Sequence, residues 1–184
     1  MEQDLKAAQK LFGLPFVIFR PNNVYGEHQN IADRYRNVVG IFMNQIMQAK
    51  PMTIFGDGTQ TRAFTYIGDV APVIPRAPFV SEAHGDVFNI GADTPCTVNE
   101  LASLVAKRFG VAPRLQYLPA RKEVLHAFAD HTKARWVFKW DKQTSLEEGS
   151  RRMAHWAKKI GARASAGFKQ FEIARNMPPS WRTE

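Results

Sequence analysis

The sequence predicts an α/β fold containing parallel strands, and three observations carry that expectation. Phe16-Val17-Ile18-Phe19 and Val87-Phe88-Asn89-Ile90 are short apolar runs of the kind that parallel strands covered on both faces require. Helical periodicities over 2–12, 37–49 and from Thr97 to Gly110 are interspersed with them. The connections are short, which suits layered α and β elements around a common core.

Taken in order, residues 2–12 carry apolar Leu5, Ala8, Leu11 and Phe12 at helical spacing, and Gly13 ends the helix. Pro15 opens the strand at 16–19. The polar segment Arg20-Pro21-Asn22-Asn23-Val24-Tyr25-Gly26 follows it directly. Ligands of open α/β sheets sit beyond the carboxyl ends of strands, so this loop is the first candidate site. Residues 37–49 place Val38, Ile41, Phe42, Ile46 and Met47 along one side of a helix. Met52-Thr53-Ile54-Phe55 reads as a strand closed by the turn Gly56-Asp57-Gly58. Arg62 to Ile67 alternates like a strand. Asp69 is expected to cap a helix over 70–80, which Pro75 and Pro78 should break or kink. Thr97 and Glu100 have the spacing of a capping box. Residues 114–118 suggest another strand. The last third is helical, with Leu146, Met153 and Trp156 as core candidates.

The chain of 184 residues suits one domain, or one domain with a small extension, and its 45% hydrophobic and 23% charged residues can bury a core. No apolar run reaches the ~18 residues of a membrane span. Met1-Glu2-Gln3-Asp4 does not read as the start of a signal peptide. Cys96 is the only cysteine, so an internal disulfide and cysteine-based zinc sites are excluded, and a cytoplasmic location is expected. The formal charge of +8 attracts anions. Its excess falls late, at Arg151, Arg152, Lys158, Lys159, Arg163, Lys169, Arg175 and Arg182. A solvated helix face accounts for such spacing. A basic module binding nucleic acid through 151–182 is the alternative, although no aromatic interleaving or RNA-binding motif accompanies the charges. His126 and His131 are five apart, which does not put two ligands on one helix face, and no metal site is expected. His28, His84 and His155 have no partner pattern.

The chain contains no Gly-x-Gly-x-x-Gly or Gly-x-x-Gly-x-x-Gly loop after a strand. It contains no Tyr-x-x-x-Lys either: Tyr25, Tyr35, Tyr66 and Tyr117 are followed four residues on by Gln29, Val39, Val70 and Arg121.

Six segments, in order, resemble the extended short-chain dehydrogenase/reductase family, in particular its UDP-glucose 4-epimerase-like epimerases and dehydratases. They are Arg20 to Gly26, Tyr35 to Gly40, Thr53 to Gly58 with Arg62 to Ile67, Val87 to Gly91, Arg121 to Val124 with Ala129-Asp130, and Leu146-Glu147-Glu148-Gly149. The resemblance implies the C-terminal part of that fold. The last strands and helices of the Rossmann sheet would come from 1–34 and 62–92. A small α/β substrate-binding subdomain would come from 35–61 and 93–184. In the family a Gly-rich loop binds NAD and a Tyr-x-x-x-Lys pair moves the sugar hydroxyl proton. By this resemblance both would precede Met1, and the chain would be a truncated product, an isolated fragment or half of a split enzyme. It would be inactive alone and would not bind NAD by itself.

The resemblance also implies which residues face a UDP-sugar or another nucleotide sugar. Asn23 would contact the sugar or diphosphate, and the backbone at Pro21 would lie by the nicotinamide of NAD. Asn37 and Val38 would present a helix start to the pyrophosphate or base, as helix N-termini do for phosphates. Thr53 and Phe55 would flank the uracil. Arg62 would pair bidentately with the diphosphate, which a guanidinium does better than an ammonium. Arg121 would be a second arginine near the phosphates or ribose. Local readings exist beside these: turn chemistry for Asn22-Asn23, an N-cap for Asn37, core packing for Phe55 and an ion pair for Arg62. Strand edges left open by a missing half-sheet predict a homodimer or a separate NAD-binding chain that covers them.

Overall fold

The two apolar runs lie side by side in a computed structural model, which describes residues 1–33, 35–141 and 143–165. The order is α1 (Glu2–Phe12), β1 (Val17–Pro21), β2 (Val24–Tyr25), α2 (Val38–Met47), β3 (Met52–Phe55), β4 (Thr61–Ala63), β5 (Thr65–Tyr66) and α3 (Ile67–Val70). Two 3-10 segments follow, Ile74–Phe79 and Ser81–Ala83, then β6 (Asp86–Ile90), β7 (Pro95–Thr97), α4 (Val98–Phe109), β8 (Leu115–Leu118), β9 (His126–Ala127), α5 (Thr132–Phe138) and α6 (Leu146–Ile160).

β1 and β6 pair in parallel, with Val17 opposite Asp86 and Pro21 opposite Ile90. β2 pairs in parallel with β5, and β3 with β8. β4 lies between β7, antiparallel, and β9, parallel. Apolar side chains gather in two cores. One joins Tyr25, Phe42, Met43, Ile54, Leu101 and Met153 between α2, α4, α6 and β3. The other sets Phe88 and Ile90 of β6 against Val73, Ala77 and Phe138. The rings of Phe19, Phe88 and Phe138 interlock there, with centroids 4.9 to 6.1 Å apart.

Local chemistry explains most element ends. Gly13 adopts φ 67°, a left-handed helix cap that glycine takes at no steric cost. The Thr97 hydroxyl accepts the Glu100 N–H at 3.1 Å while the Glu100 carboxylate accepts the Thr97 N–H at 2.7 Å, a complete capping box on α4. Replacing Thr97 by Ala is therefore expected to cost about 1 kcal/mol in a urea melt, with an unchanged denaturant slope.

The structure corrects three local expectations. The first strand runs over 17–21 instead of 16–19, and its burial is partial, because Arg20 and Pro21 reach solvent. The strand expected from Arg62 to Ile67 splits at Phe64 into β4 and β5, which join different sheets. Asp69 does not cap a helix. It lies inside the one-turn α3, and its carboxylate accepts the Thr144 N–H at 2.7 Å and hydroxyl at 2.8 Å. The proline-bearing stretch after it forms a 3-10 segment containing Pro75 and Pro78, since neither proline can donate a ladder hydrogen bond. Of the late basic residues, Lys169, Arg175 and Arg182 lie outside the described residues. Arg151 and Arg152 both pair with Glu148, at 2.7 and 2.6 Å.

Candidate functional site

A pocket of about 240 Å³ opens between the start of α2, the strands β3 and β4, and the segment before β9. Asn23, Asn37, Val38, Thr53, Phe55, Arg62 and Arg121, far apart in sequence, all line it. Pro21 lines an adjoining pocket with Asn22, Asn23, Arg62, Ala63, Ala127 and Phe128. Asn23 and Arg62 are common to both pockets, so they stand at the boundary between them.

Each side chain has an identifiable anchor. Asn23 sits at φ 43°, in the left-handed region that asparagine tolerates better than most residues, and its amide donates to the Ala63 carbonyl at 3.1 Å. Asn37, at φ 56°, donates from its amide to the Val24 carbonyl and accepts the Val39 N–H at 3.3 Å, which caps α2. Thr53 is bracketed by the Gln45 amide, which accepts its N–H at 3.1 Å and donates to its hydroxyl at 2.9 Å. Phe55 carries the Arg121 guanidinium over its ring, 3.3 Å from the centroid. Burial lowers the pKa of Arg121 from the usual arginine value, and Glu123 opposes that shift. The turn Gly56-Asp57-Gly58 behind β3 holds both glycines at positive φ. A Cβ on Gly58 would meet Asn99 Oδ1 at 2.1 Å, so that turn admits no side chain there.

Arg62 occupies the middle strand β4. Its guanidinium donates to the carbonyls of Thr61 at 2.8 Å and Leu125 at 3.0 Å, and to Glu123 at 3.2 Å. Glu123 is the residue that sequence reasoning passed over. It lines the pocket beside both arginines, and its other oxygen accepts from Gln60 at 3.4 Å. Its signal was its place in the resembling segment Arg121 to Val124, where only Arg121 was assigned a role. Tyr35 and Phe64, which fall within the resembling segments, also line the pocket, as do Ile41, Gln60 and Val98, which no motif singled out. Two guanidiniums against one carboxylate, beside a helix start and an aromatic ring, form a site suited to an anionic ligand with a planar group.

Residues 1–91 match the model of the NAD dependent epimerase/dehydratase family. The chain is 33% identical over 158 residues to a putative UDP-glucose 4-epimerase of Methanocaldococcus jannaschii, covering 85% of this chain and 50% of that one. It superposes with a TM-score of 0.76 and 32% identity on a UDP-glucose 4-epimerase of Thermotoga maritima solved with UDP-glucose, over 86% of this chain and 51% of that one. The TM-score is also 0.76, at 30% identity, with a UDP-glucuronic acid 4-epimerase of Bacillus cereus solved with UDP-glucuronic acid and NAD, over 86% of this chain and 50% of that one. The α/β fold is thus that of part of an extended short-chain dehydrogenase. The chain spans about half the length of the relatives it matches.

Among the described residues, the ends of the parallel pair β1 and β6 bear on whether a dinucleotide could be cradled there. The parallel strands β1 and β6 end in Pro21-Asn22-Asn23 and Gly91-Ala92-Asp93, and neither leads into the Gly-rich strand-to-helix turn that holds a pyrophosphate.

Proposed function

We propose that this chain is the C-terminal, nucleotide-sugar-binding part of an NAD-dependent sugar epimerase or dehydratase, UDP-glucose 4-epimerase-like. The carrying observation is Arg62, which with Asn23 lines two adjoining pockets, one shared with Arg121, Thr53 and Phe55 and the other with Pro21 and Asn22. In this reading Arg62 and Arg121 hold the diphosphate, the start of α2 at Asn37 and Val38 supports it, Thr53 and Phe55 receive the base, and Asn23 faces the sugar. Residues 1–34 and 62–92 supply sheet elements, and 35–61 and 93–184 supply the substrate subdomain. NAD supplies hydride transfer in the relatives' family, and this chain offers it only the Pro21 edge. The chain alone therefore binds ligand without turning it over. Its place is the cytoplasm. Isothermal calorimetry with UDP-glucose tests this: binding that weakens about a hundredfold in Arg62→Ala is expected, and no binding by the unaltered chain would refute it.

A second reading has a specific observation behind it. α1 has no buried residue, and Leu11, Phe12 and Phe79 are 71%, 80% and 89% exposed. A surface of that kind suits a covering partner, either a second copy or a separate chain carrying the NAD loop and the Tyr-Lys pair. Mixing with such a chain should restore conversion of UDP-galactose to UDP-glucose. Light scattering that shows a clean monomer at high concentration counts against self-pairing.

A further inference from the structure

Behind the loop that ends β1 lies a buried histidine with two polar partners. His131 is 2% exposed and stands just before α5. Its Nδ1 is 2.9 Å from Asp93 Oδ1, and its Nε2 is 3.3 Å from the Asn22 amide nitrogen. Asp93 is held in turn by the Arg135 guanidinium and by the Gln143 amide, which donates to it at 3.1 Å. The Trp140 ring closes the far side edge-on, with centroids 6.5 Å apart.

Four chain segments converge here. Asn22 comes from the end of β1, Thr65 from β5, Gly91 to Asp93 from the end of β6, and His131 from the start of α5. The Thr65 hydroxyl donates to the Asn22 carbonyl at 2.7 Å and accepts the Ala92 N–H at 2.9 Å. The Thr65 N–H donates to the Asn23 carbonyl at 3.2 Å. Gly91 marks how closely they meet: a Cβ there would lie 3.0 Å from His131 Nε2, 3.1 Å from Thr65 Oγ1 and 3.2 Å from Asn22 Cβ.

We propose that His131 is a positioning residue for the ligand-facing loop Pro21–Asn23, acting through a relay that runs Arg135, Asp93, His131, Asn22. It rests on the nucleotide-sugar reading of the pocket and adds to it a residue that touches no ligand. The relay fixes the proton positions. Asp93 as a carboxylate accepts the Nδ1–H, which leaves the Nε2 lone pair to accept from the Asn22 amide. Asn22 is thereby oriented on the wall of the pocket it shares with Pro21, Asn23 and Arg62.

The charged groups facing the ring are Asp93 from the loop after β6, and Asp130 and Arg135 from its own segment. Burial lowers the His131 pKa from 6.5, and Asp130 opposes the shift. The neutral ring therefore dominates near neutrality. Protonation in acid replaces the Nε2 acceptor by a donor facing the Asn22 donor, and the amide must leave or turn.

Calorimetry with UDP-glucose from pH 8 to pH 5 tests this, since its diphosphate is a diester and does not titrate in that range. Binding by the unaltered chain should weaken about tenfold at the acid end, and His131→Ala should lose about tenfold already at pH 8. His131→Gln, whose Oε1 can replace the Nε2 acceptor, should recover most of that loss and bind independently of pH. Gly91→Ala, which leaves the ring intact but drives a methyl between His131 and Asn22, should weaken binding as His131→Ala does. Equal binding and equal pH profiles for all four overturn the proposal. If the unaltered chain binds no UDP-glucose at any pH, the nucleotide-sugar reading fails instead. The side-chain amide signals of Asn22 in a nitrogen-15 NMR spectrum then decide positioning directly. A shift on acidification that persists in Asp93→Asn and vanishes in His131→Gln supports it, and signals indifferent to pH and to both variants overturn it.

Discussion

Replacing Arg62 by alanine is expected to weaken UDP-glucose binding about a hundredfold while leaving the fold intact. A hydrogen bond to a charged group contributes ~1.5–3 kcal/mol, so the two bonds of a bidentate guanidinium–diphosphate pair are worth about two to four decades. Arg62 is not idle without ligand, however. It is paired with Glu123 at 3.2 Å and with two carbonyls, and an incoming phosphate must exchange for the carboxylate. That exchange reduces the net effect to about two decades. Arg62→Lys keeps the charge and loses the fork, and should fall between, about tenfold weaker than the unaltered chain. The ordering Arg, Lys, Ala is the diagnostic feature, because a merely structural ion pair with Glu123 would shift the melting temperature and leave the three affinities alike. Thermal melts of the same proteins separate these outcomes.

The legibility of this site divides along sequence distance. Gly13, Asn37 and the Thr97–Glu100 box were readable because the groups that end or start a helix lie within a few residues of it. The two strands that pair as 17–21 with 86–90 were readable as strands because both runs are apolar and suit a parallel sheet, whereas their pairing followed only from the family resemblance. Glu123 was not, because its meeting with Arg62 depends on β9 pairing with β4, and β9 is only the two residues His126 and Ala127. Asp69 misled for a related reason. Its carboxylate satisfies Thr144, 75 positions away, where the local rule predicted a cap. His131 offered no pattern at all: Asn22 is 109 positions and Asp93 38 positions from it. Helix ends are written locally, whereas buried polar relays are written by the topology that brings distant loops together.

Gly149→Ala is expected to destabilise the protein by about 2 kcal/mol, against the sign that helix propensity gives. Gly149 lies inside α6, in its second turn, where alanine would ordinarily stabilise by about 1 kcal/mol. Here a Cβ would lie 2.1 Å from the Tyr25 hydroxyl oxygen, 2.9 Å from Tyr25 Cζ and 3.1 Å from Tyr66 Cδ2. Neither ring can yield easily. Tyr25 is 1% exposed and packs edge-on against Tyr66 at 6.0 Å, and the Tyr66 hydroxyl is donated to Glu27 at 2.8 Å. Overpacking of such a site costs ~1–3 kcal/mol, and here it overrides propensity because α6 cannot retreat without uncovering Met153, Ala154 and Ala157 from the main core. The control is Gly161→Ala at the end of the same helix, where no atom lies within 4 Å of a Cβ and only the positive φ of 74° opposes the change. A urea melt should show a lower midpoint for Gly149→Ala, recovered in part when Tyr25→Phe removes the clashing oxygen. Stabilisation by Gly149→Ala would show that α6 packs less closely on β2 and β5 than this interface requires. The close approach of α6 through Gly149 gives the Leu146-Glu147-Glu148-Gly149 segment a physical reason: its glycine is the point at which α6 meets the strands behind the pocket.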